Sequence, residues 1–137
     1  MRSLLDTNIL VYADATDDPV KQRRAIDTLK THAAATTAVV STQVLQEFAN
    51  VALRKLRLPP DLIRQRLAFY SRFDVVPATP ELIAAALDLH VLRGLSFYDA
   101  LIVQAAIVSG CRQLLSEDMQ PGASFGPVRI VNPFLDL

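Results

Sequence analysis

Four acidic residues, Asp6, Glu47, Asp99 and Asp118, stand where carboxylates could do chemistry together. Asp6 ends the short apolar run Ser3-Leu4-Leu5, and Asp118 follows the strand-like stretch Arg112-Gln113-Leu114-Leu115-Ser116 with only Glu117 between. Glu47 and Asp99 sit on helical segments that follow strands or turns. In a parallel sheet all four positions fall on one side, where carboxylates repel one another, so some must be protonated or a cation must neutralise them. Oxygen ligands without a His or Cys cluster favour a hard ion, Mg2+ or Mn2+. Such an ion suits phosphoryl chemistry: it activates a water, orients a phosphate and neutralises charge on the leaving oxygen. His32 and His90 lie far from these motifs and read as surface or packed histidines.

Each acid also has a plainer reading. Asp6 is a good N-cap for the helix that follows it. Glu47 lies on the shoulder of the face formed by Val44, Phe48, Val51, Ala52 and Lys55. An unpaired charge is expensive there, and pairing with Arg54 or half-exposure would account for it. Ser96-Phe97-Tyr98-Asp99 has the form of a capping box, and the helix dipole favours an acid in that first turn. The ordered set, rather than any one member, points to a site.

The elements that must carry these residues alternate between short strands and helices. The run Ser3 to Leu5 reads as a buried first strand that delivers Asp6 to its carboxyl end, where ligands bind in open α/β sheets. A short helix follows, and Asp17-Asp18-Pro19 opens a second that runs to about Ala35 with Lys21, Arg23, Arg24, Asp27 and Lys30 facing solvent. Thr36 to Val40 reads as a strand. Ser41 or Thr42 then caps a helix from Gln43 to about Arg57. Pro59-Pro60-Asp61 separates it from a helix over Leu62 to about Phe73, and Asp74-Val75-Val76-Pro77 forms a third strand. Thr79-Pro80-Glu81 opens a helix from Leu82 to Arg93, with Gly94 at its C-cap. The helix after Asp99, Ala100 to Val108, is apolar nearly all round and is therefore expected to be buried. Gln120 to Pro127 is turn-rich, and Val128-Arg129-Ile130-Val131 reads as a last strand at the sheet edge. The pattern is a three-layer α/β/α fold with a mostly parallel central sheet in one domain.

Composition narrows the setting. At 137 residues the chain can bury a real core, and 51% of it is hydrophobic with a mean hydropathy of +0.27. That apolar excess suggests buried helices or a face that a partner covers. No apolar run reaches the length of a membrane span. Asp6 interrupts an apolar start already too short for a signal peptide. The single cysteine excludes an internal disulfide and a multi-Cys metal site, which fits a reducing, cytoplasmic setting. Lys plus Arg and Asp plus Glu both number 14, so bulk charge does not signal nucleic acid. A local basic patch could still carry phosphate contacts.

Taken in order, Leu5-Asp6-Thr7-Asn8, Gln46-Glu47-Phe48, Leu95-Ser96-Phe97-Tyr98-Asp99-Ala100-Leu101-Ile102 and Leu114-Leu115-Ser116-Glu117-Asp118 resemble the motifs of PIN-domain ribonucleases of the VapC toxin group. The resemblance spans nearly the whole chain. It implies a PIN-like fold, an acidic quartet of Asp6, Glu47, Asp99 and Asp118 that binds Mg2+ or Mn2+, and polar support from Thr7, Asn8 and Ser116. It further implies hydrolysis of single-stranded RNA to a 5′-phosphate and a 3′-hydroxyl, a cognate antitoxin that lays an apolar segment into a groove between helices, and a homodimer. One departure stands out: many relatives carry a second acid two residues after the last one, where this chain has Gln120. Arg54, Lys55 and Arg57 follow Glu47 and are candidate RNA phosphate contacts, against the plainer reading of a solvated helix end.

Three other readings compete. A haloacid-dehalogenase-type aspartyl-phosphate enzyme would place a second Asp at position 8, where Asn8 stands, and a phospho-receiver would need paired early acids and a late Lys. A non-catalytic PIN-like domain that binds RNA or protein would keep the fold with a vestigial site. A flap-endonuclease-like relative shares the acid logic, but the chain lacks room for added DNA-binding parts.

Overall fold

Residues Ser3–Leu5, strand β1, are buried without exception, because the strand lies in the middle of the sheet. The computed structural model describes residues 1–137. The remaining strands are β2 (Ala38–Ser41), β3 (Asp74–Val76), β4 (Gln113–Leu115), β5 (Ser124–Phe125) and β6 (Val128–Val131). They join β1 in one sheet of order β3-β2-β1-β4-β6-β5. Every pairing is parallel except β5 with β6. Leu4, Leu5, Val39, Val40, Leu114 and Leu115 are all buried, the continuous apolar pattern of strands covered on both faces.

The helices are α1 (Thr7–Asp14), α2 (Pro19–Ala34), α3 (Thr42–Arg54), α4 (Pro60–Tyr70), α5 (Pro80–Arg93) and α6 (Phe97–Val108). From β1 the chain steps to β2 and then β3, always in one direction, before it jumps back past β1 to β4. Right-handed crossovers then put α1 to α4 on one face and α5 and α6 on the other. The packing agrees: α1 rests on α2 and α3, α3 on α4, and α5 on α6. This is the three-layer α/β/α arrangement expected from the sequence. The reversal of direction leaves a switch point between the carboxyl ends of β1 and β4.

Local chemistry explains the boundaries. Asp18, Ser41, Thr79 and Ser96 each accept a backbone N–H at a helix start, while Pro19, Pro60 and Pro80 occupy first helical positions. Gly94 ends α5 at φ 70, a left-handed conformation that costs glycine little. Ion pairs tie elements together: Arg66 on α4 holds the nearly buried Asp14 of α1 through two-pronged contacts of 3.0–3.1 Å. Arg2 bonds Ser109 O at 2.7 Å and Asp74 at 2.5 Å.

Three expectations are corrected. The strand expected from Thr36 begins at Ala38, because Thr36 takes φ 54 in the turn that closes α2. The helix expected to reach Arg57 ends at Arg54; Lys55 is its C-cap and Arg57 lies beyond it at φ 55. Finally, β6 is not the sheet edge. A tight turn at Gly126-Pro127, with Gly126 at φ 57, folds Ser124–Phe125 back as an antiparallel edge strand. Arg93 stacks over Phe125 at 4.4 Å and bonds Ser124 O at 3.2 Å, securing it. No single helix is long and apolar enough to cross a membrane, and the apolar pair α5 and α6 meets at a 115° bend.

Candidate active site at the sheet switch point

The site grows from the end of β1. The Asp6 N–H donates to Leu115 O at 3.0 Å, which fixes Asp6 beside the last residue of β4. Its backbone is extended and caps α1, with Oδ1 accepting the Thr7 N–H at 2.7 Å. The buried Ser116 hydroxyl donates to Oδ2 at 2.8 Å. Asp6 is 7% exposed. Burial pushes its pKa up to about 6, in spite of the Ser116 and Thr7 bonds that favour the carboxylate, and the nearby charges of Glu47 and Asp99 push the same way. The cap reading of Asp6 therefore holds, and it leaves the carboxyl buried with two further acids acting on it.

Glu47 does not pair with Arg54. Its Oε1 accepts the Gln43 amide at 2.7 Å and its Oε2 the Thr7 hydroxyl at 3.3 Å. Thr7 thus bridges Asp6 through its backbone and Glu47 through its side chain. Gln43, one turn earlier on α3, also donates to Tyr98 O at 3.3 Å, which ties α3 to the first turn of α6. The Gln43 Oε1 is buried without a partner. At Asp99 only half of the capping box forms: the Ser96 hydroxyl accepts the Asp99 N–H at 3.1 Å, but the Asp99 carboxylate does not return a bond to Ser96. Capping therefore explains Ser96 and leaves the carboxylate of Asp99 free. Asn8 follows Thr7 in α1, half-buried.

The acids after β4 diverge. Glu117 turns away to Lys21 at 2.6 Å and to the Tyr12 hydroxyl at 2.5 Å, with Lys21 also 5.0 Å from the Tyr12 ring centroid. Lys21, expected to face solvent, is thereby pinned. Asp118 is exposed and is not among the charges that act on Asp6. Glu47 and Asp99 lie near enough to Asp6 for their charges to act on it, while Asp118 sits exposed in the loop after β4. No three acidic, His or Cys side chains close into a ready-made ligand cage. The donor set still fits a hard divalent ion. Asp6 is a buried carboxylate with two like charges acting on it and no Lys or Arg paired to it, and Mg2+ typically takes one or two carboxylates and keeps several waters. Arg54, Lys55 and Arg57 are exposed and join no ion pair.

Gln43 and Tyr98 carry no motif signal by themselves. The spacing of Gln43 four residues before Glu47, on the same helical face, was the one clue to its part.

An α/β/α domain with a buried Asp6, and with Glu47 and Asp99 acting on it, at the switch point of a parallel sheet is of the kind that binds ligands outside its strand ends. The chain belongs to the PIN domain family, whose model matches residues 3–120. No curated protein matches it in sequence. Among solved structures it is similar to a toxin–antitoxin complex from Klebsiella pneumoniae, at 19% identity and TM-score 0.71, over 96% of this chain and 98% of that one. It is also similar to VapBC2 from Rickettsia felis bound to a DNA fragment from their promoter, at 21% identity and TM-score 0.65, over 95% and 97% of the two chains. A third is Mycobacterium tuberculosis VapC20, a sarcin-ricin loop cleaving toxin, at 17% identity and TM-score 0.59, over 85% and 91%.

Proposed function

We propose that the chain is a divalent-metal-dependent endoribonuclease that hydrolyses single-stranded RNA, acting as the toxin of a toxin–antitoxin pair. The observation that carries this reading is the grouping of Asp6, Glu47 and Asp99 at the switch point with no protein cation among them. PIN-domain nucleases generally use divalent metal ions, and the similarity to a toxin–antitoxin complex and to VapBC2 supports the biological setting.

Asp6, Glu47 and Asp99 would hold the ion, Mg2+ or Mn2+, with Asp118 completing the site from the loop after β4. The ion would supply water activation and charge neutralisation at the phosphate. The chain's own residues prepare for it. Thr7 N–H and the Ser116 hydroxyl fix both oxygens of Asp6, so that carboxylate needs no reorganisation. Gln43 and Thr7 do the same for Glu47. Arg54, Lys55 and Arg57 supply unpaired cations for RNA phosphates beyond the acids. A cognate antitoxin and a second copy of the chain are the proposed protein partners.

The reading is tested by incubating the purified chain with single-stranded RNA in Mg2+, in Mn2+ and in EDTA. Metal-dependent cutting is expected. A folded chain that cuts none of a broad set of RNAs in either metal would sink the nuclease and leave a binding domain.

Gln43 gives a finer test. Gln43→Met keeps bulk but removes the amide that orients Glu47. Loss of such supporting bonds around a metal ligand costs roughly ten- to a hundredfold in activity. Initial cleavage rates should drop by that factor with the melting transition little changed; a wild-type rate would show that Glu47 needs no such support.

A further inference from the structure

Beside the acids lies a cleft of about 350 Å3 lined by Gln43, Gln46, Glu47 and Tyr98. The acid chemistry uses Glu47 and the Gln43 amide that orients it, and leaves Gln46 and Tyr98 without a part. Tyr98 is 67% exposed, unusual for an aromatic that immediately precedes a buried helix core. It is nonetheless held in place. Its ring meets Phe97 edge-on, with centroids 5.5 Å apart and planes at 72°, and its carbonyl accepts the Gln43 amide. Phe97 is in turn packed against the core. The result is an anchored aromatic ring exposed to solvent at the mouth of an acidic cleft. Gln46, exposed on the same rim, offers an amide with both a donor and an acceptor.

An aromatic face stacks on any unpaired base, and an amide can pair with a base edge. A phosphate alone could take an N–H from the amide but would gain nothing from the ring face, and Glu47 would repel it. A base paired in a duplex could not reach the ring without leaving its stack. We propose that Tyr98 is a base-stacking platform and that this cleft seats one unpaired nucleobase adjoining the acidic site, with Gln46 facing the base edge. The proposal rests on the ribonuclease reading and deepens it: it explains why the substrate must be single-stranded next to the cut. The volume admits one base with its ribose rather than a longer stack.

The test measures binding separately from cleavage. A fluorescently labelled single-stranded RNA octamer is titrated with wild type, Tyr98→Ala, Tyr98→Phe and Tyr98→Trp, in EDTA, by anisotropy. Stacking contributions predict that Tyr98→Ala binds about 5- to 150-fold more weakly. Tyr98→Phe and Tyr98→Trp should stay within about twofold, because they keep the ring. An octamer series with one abasic position moved along the chain should contain one member that binds wild type as weakly as the intact octamer binds Tyr98→Ala. That member should lose nothing further with the variant. Because Tyr98 is exposed, its replacement should leave the melting transition in place.

Outcomes separate cleanly. If wild type binds the octamer and Tyr98→Ala binds it equally well, the platform is wrong and the nuclease reading stands. The same holds if Phe weakens binding as much as Ala. If wild type neither binds nor cuts single-stranded RNA, both readings fall together.

Discussion

Asp6→Asn is expected to lower RNA cleavage at least a hundredfold and, in the same protein, to raise the stability of the metal-free fold at neutral pH. Both follow from one carboxylate. Asp6 is buried and its pKa is lifted from 3.8 to about 6, so at pH 7 folding must bury a charge that the interior disfavours. The rise corresponds to roughly 3 kcal/mol. Its sign is definite. Well below pH 3.8 the group is protonated in both folded and unfolded chains and costs nothing. As pH climbs to about 6 the unfolded chain has released the proton and the folded chain still holds it, so stability falls; above that the loss is complete. Asn keeps the cap to Thr7 N–H and carries no charge. The stability difference between variant and wild type in EDTA should therefore grow from about pH 4 to pH 6 and then stay level, as read from urea unfolding across that range. A difference independent of pH would mean that Asp6 is not the strained group. A divalent ion should reverse the order: at a hundred times its dissociation constant it stabilises wild type by about 2.7 kcal/mol, and it should do much less for the variant.

Phe48→Ala is expected to destabilise the fold by about 3–5 kcal/mol, a large part of what a domain of this size has to lose. Phe48 is fully buried on α3 and meets Tyr70 of α4 edge-on, with centroids 5.4 Å apart and planes at 88°. The ring fills the seam between those two helices, and Ala would leave a cavity that the sheet cannot close. The expected reading is a much lower urea midpoint with an unchanged slope. Phe48 neighbours Glu47 but faces the other way, into the core. At low temperature, where the variant is still folded, metal-dependent cleavage should survive. Loss of cleavage in a folded variant would show that α3 must be rigid for Glu47 to work.

What could be read in advance was whatever local spacing determines. Asp6 was visible because it stands at the end of an apolar strand, whereas Ser116 entered only through the family resemblance. The helix starts were visible because Ser, Thr, Asp and Pro mark them. Glu47 was visible as an acid on the shoulder of an apolar stripe, but its partner was not: Arg54 is the nearer guess along the helix, and the actual contacts, Gln43 and Thr7, depend on α1 and α3 meeting in space. Strand β5 escaped because two residues carry no periodicity, and the turn at Gly126-Pro127 looks like any loop. The end of α3 was overestimated because the sequence from Lys55 to Leu58 stays compatible with a helix until Pro59, while Arg57 in fact turns left-handed. Of the four acids expected together, Glu47 and Asp99 act on the buried Asp6, and Asp118 is exposed in the loop after β4.

The neighbours Glu117 and Asp118 differ in freedom, the first held by Lys21 and Tyr12 and the second exposed and unpaired. This makes the junction after β4 intolerant of insertions and deletions. Losing one residue between Leu115 and Glu117 would carry Asp118 to the place where Lys21 and Tyr12 wait, and would take Ser116 from Asp6 as well. Substitutions that preserve length, Gln120 among them, leave that count intact. Chains of this kind should therefore vary freely in composition along this loop's outer part and hardly at all in its spacing from the strand.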